Sequence, residues 1–288
     1  MKLRILGLAS MLLPAALLSA QTDRVTVRLS PAPNQTLHQH VTVAMVMTTS
    51  FDPAAPGATA MPPQQVEMTT TADVTTTVGA TDGRGYYDAR VVSENTAATM
   101  TMNGKTMPAP AGLPGMAAPV MIFHYDDQGR PLGVGPEANE NGMATAMLQA
   151  MSGVLATAPP ITLAVGETVT VPMNVNMPVP AAQPAGLSLK GETSMTLTSV
   201  TFDGADRIAH LSVNTTTSME TSGDAGPMAA AMNMKSSGGG KMDVNIDRGI
   251  VLHTELTTTI DSSSFLAPGA PRGMAMKGTV TVTADYVK

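Results

Sequence analysis

The residues able to do chemistry are few. The chain has 288 residues, with five histidines, 22 acidic residues, 24 methionines and no cysteine. Without cysteine there is no disulfide, no thiolate nucleophile and no Cys-ligated metal or iron–sulfur centre. Imidazole, carboxylate, hydroxyl and thioether remain. His38 and His40 are two residues apart, which in a strand puts them on one side at roughly 6.5–7 Å. Two imidazoles so placed could share a metal with a cross-strand carboxylate. They alternate with Val41 and Val43, however, and no second ligand cluster accompanies them, so a solvated pair is expected. The run His124-Tyr125-Asp126-Asp127-Gln128-Gly129 lacks the spaced carboxylates and closing Glu of a calcium loop. It reads as a turn. His210 and His253 stand alone on polar strand faces, with no sequence neighbour to complete a triad. Gly238-Gly239-Gly240-Lys241 lacks the spacing, the following hydroxyl residue and the strand-to-helix context of a phosphate loop. No nucleophile elbow, zinc-protease or dinucleotide signature is present. The expectation is a non-enzyme, with no catalytic residue, no cofactor and no metal.

Methionine is the unusual choice, set against four Phe, four Tyr and no Trp. Met45/Met47, Met100/Met102 and Met274/Met276 fall at the two-residue spacing that puts strand side chains on one face. Met232/Met234 is expected in a Gly/Ser-rich loop. Flexible thioethers can line an adaptable apolar cavity or ligate Cu(I) as soft donors. They can also simply fill a core short of aromatics, which is the first reading of any methionine. Copper stands behind both others, because Met232/Met234 has no histidine nearby.

The elements that would position these groups are strands. Residues 1–20 read as a secretory signal: Lys2 and Arg4, an apolar run over 5–18, then Ser19-Ala20, with cleavage expected near Ala20-Gln21. The apolar run is too short to span a bilayer, and Gln21 stands where a lipidation cysteine would be. A soluble periplasmic or secreted protein is expected. Residues 21–288 then carry 14 basic and 22 acidic side chains, net −8, which argues against nucleic acid or anionic lipid as a partner bound through a basic surface. Period-two alternation recurs throughout. Val25, Val27 and Leu29 share one face, as do Val41, Val43, Met45 and Met47, and Val66, Met68, Ala72, Val74 and Val78. The second half repeats the pattern from Val169 to Tyr286. One apolar and one Thr-rich face is how an antiparallel sheet covered on one side reads. One segment breaks the period: over 142–155, Met143, Met147, Met151 and Val154 take helical spacing and predict an amphipathic helix. Loops are expected at 51–64, 106–118, 180–186, 220–240 and 261–273. Two echoing halves, 21–136 and 161–288, flank the helix and suggest duplication or a meander of hairpins within a single domain.

Strand-rich halves around a mid-chain helix, the VGETVTV opening at 165–171, and GKMDVNIDRGIVLHTELTTTI followed by MKGTVTVTADYV carry a resemblance. The chain looks like a family of exported bacterial proteins similar in architecture to the LolA/LolB-like lipoprotein carriers. Thr170 and Val171 replace the aromatic usual after the VGET stretch. The resemblance implies a mainly β fold: a large curved antiparallel sheet, a half-barrel, with the helix against its concave side. It further implies a lipid or other hydrophobic ligand in a Met/Val/Leu-lined concavity, with Met45 and Met47 on the sheet side and Met143, Met147 and Met151 on the helical side. The rival expectation is a structural or protein-interaction module without a small-molecule ligand, and a copper-binding Met-rich protein stands third.

Overall fold

Thr and Val dominate the alternating segments, and β-branched side chains pack well on a pleat. The computed structural model describes residues 24–53, 62–108, 120–136, 160–178, 186–222, 231–265 and 272–287. Within them are fourteen strands: β1 (Val25–Val27), β2 (Thr36–Pro53), β3 (Gln64–Val78), β4 (Tyr87–Met102), β5 (Lys105–Pro108), β6 (Met121–Tyr125), β7 (Pro131–Pro136), β8 (Ile161–Leu163), β9 (Thr168–Pro178), β10 (Gly186–Asp203), β11 (Asp206–Ser222), β12 (Ala231–Asn245), β13 (Ile250–Phe265) and β14 (Arg272–Val287). Every pairing is antiparallel. One sheet runs β7-β6-β4-β3-β2-β14-β13-β12-β11-β10-β9, with β5 added beside β4. It is an open path, ending in β7 and β9, and β1 pairs with β8 in a separate two-stranded sheet.

The mainly β, antiparallel reading holds. The described residues contain no helix, and the segment expected to be helical, 142–155, lies outside them, as does the signal segment 1–20. Each expected loop gives part of its length to strands: 51–53 and 64 belong to β2 and β3, 186 to β10, 220–222 to β11, 261–265 to β13 and 272–273 to β14. Residues 105–108 form β5, and 231–240 form the first part of β12, so Met232 and Met234 sit in a strand. Gly disfavours strands intrinsically, but here cross-strand geometry requires it. A Cβ on Gly240 would run into the Glu255 carbonyl oxygen, and one on Gly278 into Val46 O and Met47 Sδ. Strand glycine marks such close approaches of a neighbouring backbone.

The core lies at the tight-turn end of the sheet. Val25, Val27, Ile161 and Leu163 of the small sheet pack on Met195, Leu197, Ala209, Leu211, Val213, Met242, Val244 and Ile246 of β10–β12 and the turn after it. Each such side chain contributes about 1.5–3 kcal/mol when fully buried. A second cluster joins Val78, Tyr87, Ala89 and Tyr125, with the two tyrosine rings stacked at 5.1 Å. Arg24 ties the small sheet to the turn before β9, its Nη2 donating to Glu167 Oε1 at 2.8 Å. The Ala164 N–H and that bond hold the Glu167 carboxyl below its usual range.

Candidate functional site

Register decides what the two faces of the sheet offer. On the apolar face, Met45 lies opposite Met68, Met68 opposite Met100, and Met100 opposite Met107. Four methionines therefore form one unbroken row across β2, β3, β4 and β5, continued on the other side by Val280 of β14. The adjoining row is Gly278, Met47, Val66, Met102 and Lys105. The Met47 sulfur fills the space that a side chain at Gly278 would need. Met45, Met47, Met68 and Met102 are half-buried, Met100 is 9% exposed and Met107 is 36% exposed. A second meeting of thioethers pairs Met219 with Met234 on β11 and β12. Met45 and Met47 thus sit on one face, as their spacing predicts, while Met143, Met147 and Met151 lie outside the described residues. Met68 and Met107 are not among the pairs that spacing predicts. Their only sequence signal is strand phase; their meeting with Met100 is a property of register.

The other face is hydroxyl-rich, and Thr–Thr and Thr–Ser bonds cross it, such as Thr168–Thr196 at 2.7 Å and Thr257–Thr281 at 3.1 Å. It also carries an alternating row: His210, Asp243, His253, Asp285, His40 and Asp73 follow one another across β11, β12, β13, β14, β2 and β3. The Nδ1–H groups of His210 and His253 donate to Asp243 and Asp285 at 2.7 Å each, and that of His40 donates to Asp73 at 2.9 Å. Hydrogen bonds from His40 and Asn95 hold the Asp73 carboxyl below its usual range. His124 pairs with Asp88 at 2.7 Å, and His38 with the Thr75 hydroxyl at 3.2 Å. His210 Nε2 also lies 2.8 Å from Thr201 Oγ1, which completes the hydrogen-bond chain of a nucleophile–His–Asp triad. Thr201 is an exposed strand residue and lines neither of the two cavities beside these faces. His210 and His253 therefore have carboxylate partners that sequence neighbours do not show. No three His, Asp or Glu side chains among the described residues converge as a metal site. Exposed pairs of this kind contribute about 0–1 kcal/mol each.

Two further acids, Asp126 and Asp247, serve turns. Burial pushes the Asp126 carboxyl up, but the Arg130 and Gln128 N–H groups and the Arg130 guanidinium outweigh it and hold the group below its usual range. These contacts are 2.7, 2.9 and 2.6 Å. Asp126 is thus the pin of the β6–β7 turn, as its sequence context predicts. Asp247 does the same work for Arg207, accepting from its backbone N–H at 2.8 Å and from Nε at 3.0 Å. Gly238-Gly239-Gly240 runs mid-strand in β12 and cradles nothing.

Of the two cavities, one of about 750 Å³ lies over β10–β13, lined by Lys190, Glu192, Thr216, Ser218, Lys235 and Asp261 among others. The other, about 300 Å³, lies at the tight-turn end beside Tyr87, Asp127 and Arg248. No methionine lines either. No helix among the described residues is long and apolar enough to cross a membrane.

No family model matches the chain, and no curated protein does. Two solved structures are similar to it in part. One, described as "Asymmetric conductivity of engineered proteins", is 9% identical, covers 85% of this chain and 99% of its own, with a TM-score of 0.28. The other, "Crystal structure of Pseudomonas aeruginosa OpdQ", is 10% identical, covers 88% and 98%, with a TM-score of 0.24. Scores this low carry no argument about fold or function, which leaves the chain's own geometry to carry one.

Proposed function

We propose that the protein is a non-enzymatic, exported β protein that holds a lipid or other hydrophobic ligand against the methionine-bearing face of its sheet. The observation that carries this reading is the row Met45, Met68, Met100 and Met107 with Met47, Val66 and Met102 beside it. A core of close-packed aliphatic side chains exists elsewhere, under β1 and β8. The methionine rows lie away from it, running from buried Met100 to exposed Met107, and unbranched thioethers are the side chains best able to repack around varied apolar shapes. The signal-like residues 1–20 and the resemblance to LolA/LolB-like carriers point to export and to an acyl chain as the ligand. The hydroxyl face, with its His–Asp row, is the wet side. The methionine rows line neither of these cavities, so the reading rests on the face itself.

Uptake of a naphthalene-type or fatty-acyl probe by delipidated protein tests it. Saturable uptake is expected, lost on Met68→Asp and kept on Thr69→Asp, because these adjacent residues of β3 face opposite sides. No uptake by the unaltered protein overturns the reading, as does equal loss from both variants when each retains its strand signal in circular dichroism. In that case a structural or protein-interaction role takes its place.

A further inference from the structure

The geometry points to a second use of the same thioethers: we propose that Met45, Met68, Met100 and Met107 form a seat for one soft monovalent cation, Cu(I) or its redox-stable mimic Ag(I). Met45–Met68, Met68–Met100 and Met100–Met107 are each directly opposed across neighbouring strands. Directly opposed residues have Cβ atoms about 4.5–5.5 Å apart. From that separation, side chains with three rotatable bonds can turn their sulfurs toward a common point. Three consecutive members of the row are enough for a trigonal all-sulfur site, the donor set that a soft cation prefers and that hard cations do not.

The row has the gradient such a seat needs. Met100, at its centre with Met68, is 9% exposed, and Met107, on the short strand β5, is 36% exposed, so an ion can enter from the β5 side and rest among half-dry sulfurs. The next row holds Gly278 and Val66 where the first has thioethers or Val280, so it offers no three consecutive sulfurs and leaves the first row as the seat. The histidines do not compete for it. They occupy the opposite face, four of them hydrogen-bonded to aspartates. Binding needs no electron transfer and no proton release, since a thioether has no proton to lose. Loading is therefore insensitive to pH across the range where imidazole or thiol sites titrate.

Titration of the whole protein with silver nitrate in chloride-free buffer, followed by native mass spectrometry and calorimetry, tests the proposal. One tightly held Ag(I) per chain is expected. The double variant Met68→Leu/Met100→Leu keeps volume and apolar character, a swap that cores tolerate. It should weaken silver by more than the roughly 10–100-fold that even an outer-shell change costs, while the strand signal in circular dichroism is retained. Met219→Leu, in the separate Met219–Met234 pair, should leave silver binding unchanged. No silver bound by the unaltered protein overturns the proposal, as does undiminished binding by the double variant or equal loss from Met219→Leu. Probe uptake is read separately on the unaltered protein: uptake without silver binding overturns this proposal alone, and silver binding without uptake overturns only the apolar-ligand reading.

Discussion

Leu163 shows how the small sheet holds the large one. It is 1% exposed and belongs to the cluster formed by β1, β8 and β10–β12. Leu163→Ala removes three carbons, a transfer loss of about 2.4 kcal/mol at ~0.8 kcal/mol per group. Its neighbours cannot close the gap, because Leu197 and Val244 are themselves 0% exposed and held in long strands. A cavity cost adds to the transfer loss and brings the total to roughly 3–5 kcal/mol. In urea unfolding followed by far-ultraviolet circular dichroism, this lowers the midpoint with an unchanged slope. In a thermal scan it lowers the midpoint by about 6–20 °C, at roughly 2–4 °C per kcal/mol for chains near this size. Phe202→Ala is the control: Phe202 is 73% exposed, and surface changes stay within about 0.5 kcal/mol. A Leu163→Ala loss no larger than that of Phe202→Ala refutes the placement of the core under β1 and β8.

Two pH effects follow from the second cluster and from the turns. Burial, with a smaller contribution from Tyr87, pushes the Tyr125 hydroxyl from 10.0 up to about 12. A raised folded value means that its stabilising effect is intact below about pH 10 and is lost as pH rises from there toward 12. The total is about 2–3 kcal/mol at 1.36 kcal/mol per unit. Tyr125→Phe should therefore flatten the alkaline fall in stability, and the phenolate absorbance of the unaltered protein should lose its latest-titrating component in that variant, leaving Tyr87, which burial also raises. At the acid end the sign reverses. Asp126 and Asp247 have carboxyls held below the usual 3.8, so their contribution is present above that value and lost as pH falls through the folded value. Asp126→Ala removes the acceptor of three hydrogen bonds. It should lower the unfolding midpoint at pH 7 but much less at pH 2, as measured by circular dichroism.

Much of the sheet is written in local sequence. Val25 and Val27 are buried and Thr26 exposed, as alternation predicts, and Ile161 and Leu163 repeat the pattern around Thr162. The Asn103-Gly104 turn adopts the positive φ angles its residues allow, 49° and 79°. Strand β12 is not legible locally. Its Ser236, Ser237 and Gly238 have the small, flexible character of loop residues, and only the closure of β11 and β13 around them makes a strand. The His–Asp row is hidden for a related reason. His210 and Asp243 are 33 residues apart, and His253 and Asp285 are 32 apart; only pairing brings them together. The methionine row is half legible. Phase shows that Met45 and Met47 share a face, but nothing local shows that β2 lies beside β3 in the register that sets Met45 against Met68. Met143, Met147 and Met151, expected opposite them, lie outside the described residues, so the sheet side alone supports the seat.

The most direct test of a ligand held on the methionine face is the native mass of the protein purified gently from its own source. The expected spectrum contains a population heavier than the polypeptide by the mass of one acyl-bearing molecule, released when Met68→Asp puts a charge into the methionine row. A single species at the bare polypeptide mass, from the first gentle extraction onward, contradicts a ligand-holding role.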